Sequence, residues 1–105
     1  MVKRVVIESP FSGDVEANTV YARECLRDSI RRGEAPLASH LLYTQVLDDT
    51  VPEERKQGME AGWTWNVCAE LVAVYTDRGI TRGMQAGIDV ANDLGIAVEY
   101  RSVGR

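Results

Sequence analysis

Four short apolar runs alternate with three helical patterns along this chain, and that alternation constrains the fold more than any other feature. Consecutive strands that run the same way need a crossover of a dozen residues or more, usually a helix. The pattern therefore predicts an α/β fold with a parallel sheet, right-handed crossovers and helices on both faces. Val2–Ile7 and Leu71–Thr76 are nearly continuous apolar runs, as expected of strands covered on both sides. Ala35–Ser39 is shorter and weaker, and Ile96–Tyr100 closes the series. Placing the two most apolar strands at the centre gives a four-stranded sheet of order 2-1-3-4. The helices are expected over Val15–Arg32, ended by Gly33, over Pro52–Cys68 and over Arg82–Leu94. Thr50-Val51-Pro52-Glu53 reads as a capping box for the second of these, which carries Met59, Trp63 and Val67 at four-residue spacing. His40–Val51, which mixes leucines with Asp48 and Asp49, is expected to be an apolar, irregular loop.

Composition narrows the function classes. A chain of 105 residues, 45% hydrophobic and 27% charged, reads as one soluble domain spanning 1–105. Its apolar runs fall short of the roughly 18 residues of a membrane span, and its start reads as a strand rather than a signal peptide. The formal charge of −4 argues against a general nucleic-acid surface, while a single nucleotide needs only a local site. Cys25 and Cys68 lie inside helical patterns and read as reduced, packed residues of a cytoplasmic protein. His40, the lone histidine, forms no recognised metal spacing with Asp48 and Asp49, so neither metal nor cofactor is expected. The glycine fingerprints of dinucleotide and ATP sites are also missing from the sequence.

With the order 2-1-3-4, the switch point falls between strands 1 and 3, and ligands bind at such points. The loops 8–14 and 77–83 then flank the crevice. Ser9 and Ser12 offer hydroxyls there, Phe11 a ring, and Gly13 close backbone approach before a helix start. The same residues also make an ordinary turn, with Asp14 as the cap. His40 ends the second strand, either as a ligand contact or as a structural hydrogen-bonding residue. Asp48 and Asp49 either close the loop before the helix or reach a ribose hydroxyl, and Asp77 sits where a carboxylate binds sugar hydroxyls or polarises a catalytic residue. Thr81 serves equally as a ligand contact or a helix cap, next to Gly83 and Met84. Trp63 is expected in the core or a subunit contact. Trp65, rotated off its stripe, is expected at an interface, so that helical faces join copies into a homo-oligomer.

Three segments carry a family resemblance: Ile7-Glu8-Ser9-Pro10-Phe11-Ser12-Gly13, Ala38-Ser39-His40-Leu41-Leu42, and Gly83-Met84 followed by Ala91 and Gly95-Ile96. Together they resemble the nucleoside 2-deoxyribosyltransferase-like superfamily, in particular its small uncharacterised bacterial and phage branch. The resemblance implies a flavodoxin-like three-layer sandwich, oligomerisation and a pocket for a nucleoside or nucleotide. It also implies a Gly-Thr-x-x-Glu-x-Gly-x-Ala pattern whose glutamate attacks the anomeric carbon. Here Gly83 and Ala91 match, but Met84 stands for the threonine, Gly87 for the glutamate and Asp89 for the later glycine. Two residues turn a helix by about 200°, so Asp89 does not replace a side chain at 87. The expectation is a binder of a nucleoside- or nucleotide-derived molecule without that nucleophile. The alternatives are an N-glycosidase or transferase with a relocated carboxylate, for which Asp77 and Glu60 are the candidates, and a protein-interaction module. The expected ligand set is Ser9, Phe11, Ser12, Gly13, His40, Asp49, Asp77, Thr81, Gly83 and Met84.

Overall fold

The structure, a computed structural model, describes residues 2–104. Its elements are β1 (Arg4–Glu8), α1 (Val15–Arg31), β2 (Ala35–Leu37), α2 (Ser39–Leu42), a 3-10 turn (Tyr43–Gln45), α3 (Pro52–Asn66), β3 (Leu71–Tyr75), α4 (Arg82–Asp93) and β4 (Ala97–Arg101). The strands form one parallel sheet in the order β2-β1-β3-β4. This is the predicted order, and the apolar strands β1 and β3 are indeed central.

Side-chain alternation along β1 divides the core between the two faces. Val5 and Ile7 point toward α1 and pack with Tyr21, Cys25, Leu71, Ala73 and Tyr75. Val6 points the other way and packs with Val72, Val74 and the α4 residues Met84, Ile88 and Ala91. Glu8, two residues beyond Val6, falls on the α4 face, in register with Val74 of β3. A carboxylate thus continues an apolar row. Helix α3 packs against both α2 and α4 at this end of the sheet.

Several boundaries differ from the sequence expectation. β2 stops at Leu37, and the expected irregular loop instead forms α2 and the 3-10 turn. Leu41 supplies the reason, since it packs against the α1-side core. The capping box at Thr50 does not form: Val51 is the N-cap and has no side-chain cap hydrogen bond. Thr50 instead bonds Asp48 through both its amide and its hydroxyl, and Glu54 accepts from the Asp48 amide at 2.9 Å. Helix α3 ends at Asn66, which leaves Val67 and Cys68 exposed rather than packed. β4 starts one residue late because the Ile96 amide still closes α4, donating to the Ala91 carbonyl at 2.9 Å. No helix among the described residues is long and apolar enough to cross a membrane.

One buried ion cluster clamps the α1 side. Arg101, 6% exposed, makes two 2.7 Å bonds to the Glu34 carboxylate and a third, at 3.3 Å, to the Tyr75 hydroxyl. Ser29 also donates to Glu34, and Tyr75 donates to Asp28. These partners hold the Glu34 and Asp28 carboxyls below the usual carboxylate range; at Glu34 the Arg101 bond is the main cause, and at Asp28 the Tyr75 and Arg32 bonds outweigh the opposing effect of burial.

Candidate functional site

A cleft opens at the C-terminal end of β1, between α2, α3 and the start of α4. β1 and its loop contribute Glu8, Ser9, Phe11 and Ser12; α2 contributes Ser39 and His40. From α3 come Arg55, Met59, Trp63 and Asn66, and from the start of α4 come Thr81, Gly83 and Met84. The first loop is fixed from behind. Buried Asn18 donates to the carbonyls of Phe11 and Ser12 and accepts from Arg78 at 3.0 Å, so one α1 side chain joins the loops after β1 and β3.

Glu8 is the buried carboxylate that sequence reasoning missed. An ideal Cβ placed on Gly87 would lie 2.6 Å from the Glu8 Cδ and 3.0 Å from its Oε1, with Oε2 closer still. The Glu8 carboxylate therefore occupies the space that a side chain at 87 would need. The Gly87 backbone lies outside the positive-φ set, so room, not conformational freedom, is what glycine provides here. Glu8 has no hydrogen-bond or ion-pair partner among the described residues, and burial pushes its carboxyl up to about 8. The signal was present in the strand periodicity, because Glu8 shares a face with Val6 and that face is covered by the helix carrying Gly87.

Beside it, the Ser9 Oγ and the His40 Nε2 lie 2.7 Å apart. Burial lowers His40 to about 4, so the imidazole is neutral at physiological pH. Arg55 pairs with Asp49 at 2.6 Å, and its Nη2 lies 3.4 Å from where a Cβ on Gly83 would sit, over the first turn of α4. Thr81 faces the cleft and also caps α4, accepting from the Met84 amide at 3.2 Å. The cap reading of Thr81 therefore holds, and its side chain also lines the cleft.

Of the expected ligand set, the cleft brings together Ser9, Phe11, Ser12, His40, Asp49, Thr81, Gly83 and Met84. Gly13 and Asp77 stand apart. Gly13 makes the positive-φ turn before α1, and Asp14 caps that helix by accepting from the Ala17 amide. Asp77 borders a different hollow, on the α1 side, with Tyr21, Glu24 and Arg78. It accepts from the Tyr21 hydroxyl, the Ser102 hydroxyl and the Val103 amide, and so ties the last described residues to the sheet. Glu60 is exposed on the outer side of α3, 3.9 Å from Lys56. Neither proposed carboxylate lines the cleft that holds Glu8. Trp63 lines this cleft rather than a closed core, whereas Trp65 is half exposed and donates to the Tyr43 hydroxyl. Asp89 is exposed and bonded to Gln85, as its helical position requires. Among the described residues no group of three or more metal-ligating side chains is assembled.

This doubly covered parallel sheet has a solved counterpart. The 2-deoxyribosyltransferase of the psychrotolerant bacterium Bacillus psychrosaccharolyticus superposes with a TM-score of 0.66. The similarity covers 97% of this chain and 74% of that one at 17% identity, which shows a shared fold. The chain itself belongs to the family described as a domain of unknown function, DUF7768, whose profile matches residues 3–101. No functionally curated protein matches it in sequence.

Proposed function

We propose that the cleft takes a nucleoside- or nucleotide-derived molecule and that Glu8 acts on its N-glycosidic bond. One observation carries this reading: a carboxylate enters the cleft from β1 and fills the space vacated at Gly87 on α4. In the resembling superfamily, position 87 of this chain is where the nucleophilic glutamate is expected. Asp77 and Glu60 lie elsewhere, and Glu8 meets the requirement for a relocated carboxylate.

The step follows from the chemistry of the groups. A Glu8 oxygen attacks the anomeric carbon, and the carbon–nitrogen bond breaks with its electron pair passing to the base, which takes up a proton from solvent. Water then hydrolyses the resulting sugar ester, restoring the carboxylate and releasing the sugar with a free anomeric hydroxyl. Met59, Trp63 and Met84 offer apolar surface for a flat base, while Ser9 and the neutral His40 offer hydrogen bonds to sugar hydroxyls.

The test is base release from ribo- and 2′-deoxyribonucleosides and their 5′-monophosphates, followed by chromatography and paired with calorimetry on the same compounds. Turnover by wild type that is lost in Glu8→Gln, with binding retained, is the expected result. Saturable binding without turnover would favour the second reading, a silent ligand binder. That reading draws on the protonated state in which burial holds Glu8 at neutral pH. No binding and no turnover would remove both.

A further inference from the structure

The cleft-facing side of α3 is a stripe spaced by threes and fours: Arg55, Gly58, Met59, Gly62, Trp63 and Asn66. Its chemistry changes along the helix, from a cation through an apolar middle to an amide. From Arg55 to Asn66 the helix rises about 16 Å. The amide end holds the anomaly. Asn66 is 1% exposed, and its Nδ2 has no hydrogen-bond partner among the described residues. Buried donors are nearly always paired, because an unpaired one forfeits its solvation with nothing in return. Here the orphaned donor belongs to a residue that lines the cleft, three positions from an indole on the same face. Gly62, just before Trp63 and one turn before Asn66, admits Ser39 of α2, whose Oγ would stand 2.5 Å from a Cβ at that position. The two helices are thus held close, and the end of α3 is set firmly against the cleft.

We infer that Asn66 reads the nucleobase, its Nδ2 donating a hydrogen bond to a ring carbonyl oxygen of a base packed against Trp63. This rests on the nucleoside reading above and adds to it a substrate class, the oxo-bearing bases. A carbonyl oxygen is the fitting acceptor because it projects from the edge of a flat ring and carries two lone pairs for a fixed N–H donor. A base without that oxygen leaves the amide as unpaired in the complex as it is in the free protein, so discrimination follows from a cost already built into the fold.

The test uses the whole chain and three probes: the 5′-monophosphates of 2′-deoxyinosine, 2′-deoxyuridine and purine 2′-deoxyriboside, the last lacking the carbonyl. Wild type is expected to bind at least one oxo compound about tenfold or more tighter than the carbonyl-free one, as one buried hydrogen bond requires. Asn66→Ala is expected to lose that preference while still unfolding cooperatively, because it removes a donor without stranding a partner. In parallel, the side-chain NH₂ resonance of Asn66 in 15N-labelled wild type should shift with the preferred oxo nucleotide. That signal reports on the amide whether or not the variant folds. Equal affinity for all three probes, or binding with an unmoved Asn66 resonance, would overturn the assignment and leave the nucleoside reading standing. Binding of none of the three, together with a failure of the wider nucleoside panel, would overturn both.

Discussion

Glu8→Gln should change how folding stability depends on pH, and the size of the change follows from two groups in the cleft. Burial raises the Glu8 carboxyl from 4.5 to about 8 and lowers His40 from 6.5 to about 4. Between pH 4.5 and 8 the folded protein holds the Glu8 proton that the unfolded chain has released. Stability therefore falls as pH rises, at about 1.4 kcal/mol per pH unit. His40 works in the opposite sense between pH 4 and 6.5, where only the unfolded chain is protonated at this group, so stability rises with pH. The two slopes offset each other from pH 4.5 to 6.5. Above 6.5 Glu8 alone acts among the described residues, and wild type should lose about 2 kcal/mol by pH 8. Cys25, raised by burial from 9 to about 12, adds its own loss only as pH passes 9. Gln keeps the shape of the protonated acid without its titration, so Glu8→Gln should be flat over the same window. Urea unfolding of both proteins at half-unit steps from pH 6.5 to about 8.5, followed by tryptophan fluorescence, measures the difference. A wild-type curve without the fall, or an equal fall in the variant, would refute the burial of an unpaired carboxylate at this site.

Base release, where it occurs, should increase as pH rises through about 8, since only the ionised Glu8 attacks; a rate that declines over that range would assign Glu8 to acid catalysis instead. Gly87→Ala should cost about 1–3 kcal/mol by crowding the Glu8 carboxylate, and most of that cost should vanish in a Glu8→Ala background, as a double-mutant cycle of unfolding free energies would reveal. Arg101→Ala should destabilise by about 3–5 kcal/mol because it strands Glu34 without its bidentate partner, and a loss below 1 kcal/mol in urea titrations would contradict the buried clamp. Ser9→Ala removes the hydroxyl at the His40 Nε2 and should cost about 1–3 kcal/mol, again read from urea midpoints.

The sheet was legible in the sequence because strand burial is written in composition. Val5-Val6-Ile7 and Leu71-Val72-Ala73-Val74-Tyr75 are apolar on both faces, and only central parallel strands need that. The region 39–51 was less legible: Leu41 packs on the core from a short helical turn while Leu42 is exposed, and no single period marks that. Thr50 was misread because its hydroxyl has a local competitor, Asp48, two residues back. Much of the cleft was foreseeable from the switch point alone, as Ser9, Phe11, Ser12, Thr81, Gly83 and Met84 illustrate. The α3 stripe was not, because Met59 and Trp63 at helical spacing look the same whether they face a core or a cleft. Asp77 was displaced from the expectation by one step of strand direction: the chain leaves β3 toward α1, where Tyr21 and the segment 102–103 take its carboxylate.

Gly87 and Glu8 are best understood as one feature. Taken alone, a glycine where a superfamily nucleophile is expected reads as a lost function, and a glutamate at the end of a buried strand reads as an accident. The geometry joins them, since the carboxylate can enter that space only when position 87 carries no Cβ. A glutamate on α4 would approach the cleft from a helix; Glu8 approaches from the sheet, at the end of a strand paired to a neighbour on either side. The same entry places it between apolar neighbours, with no cation paired to it among the described residues. A strand-borne carboxylate is therefore fixed in place but reluctant to ionise. On the proposed reading as an N-glycosidic-bond enzyme, the two properties pull catalysis in opposite directions, and the pH at which base release sets in is where that contest is decided.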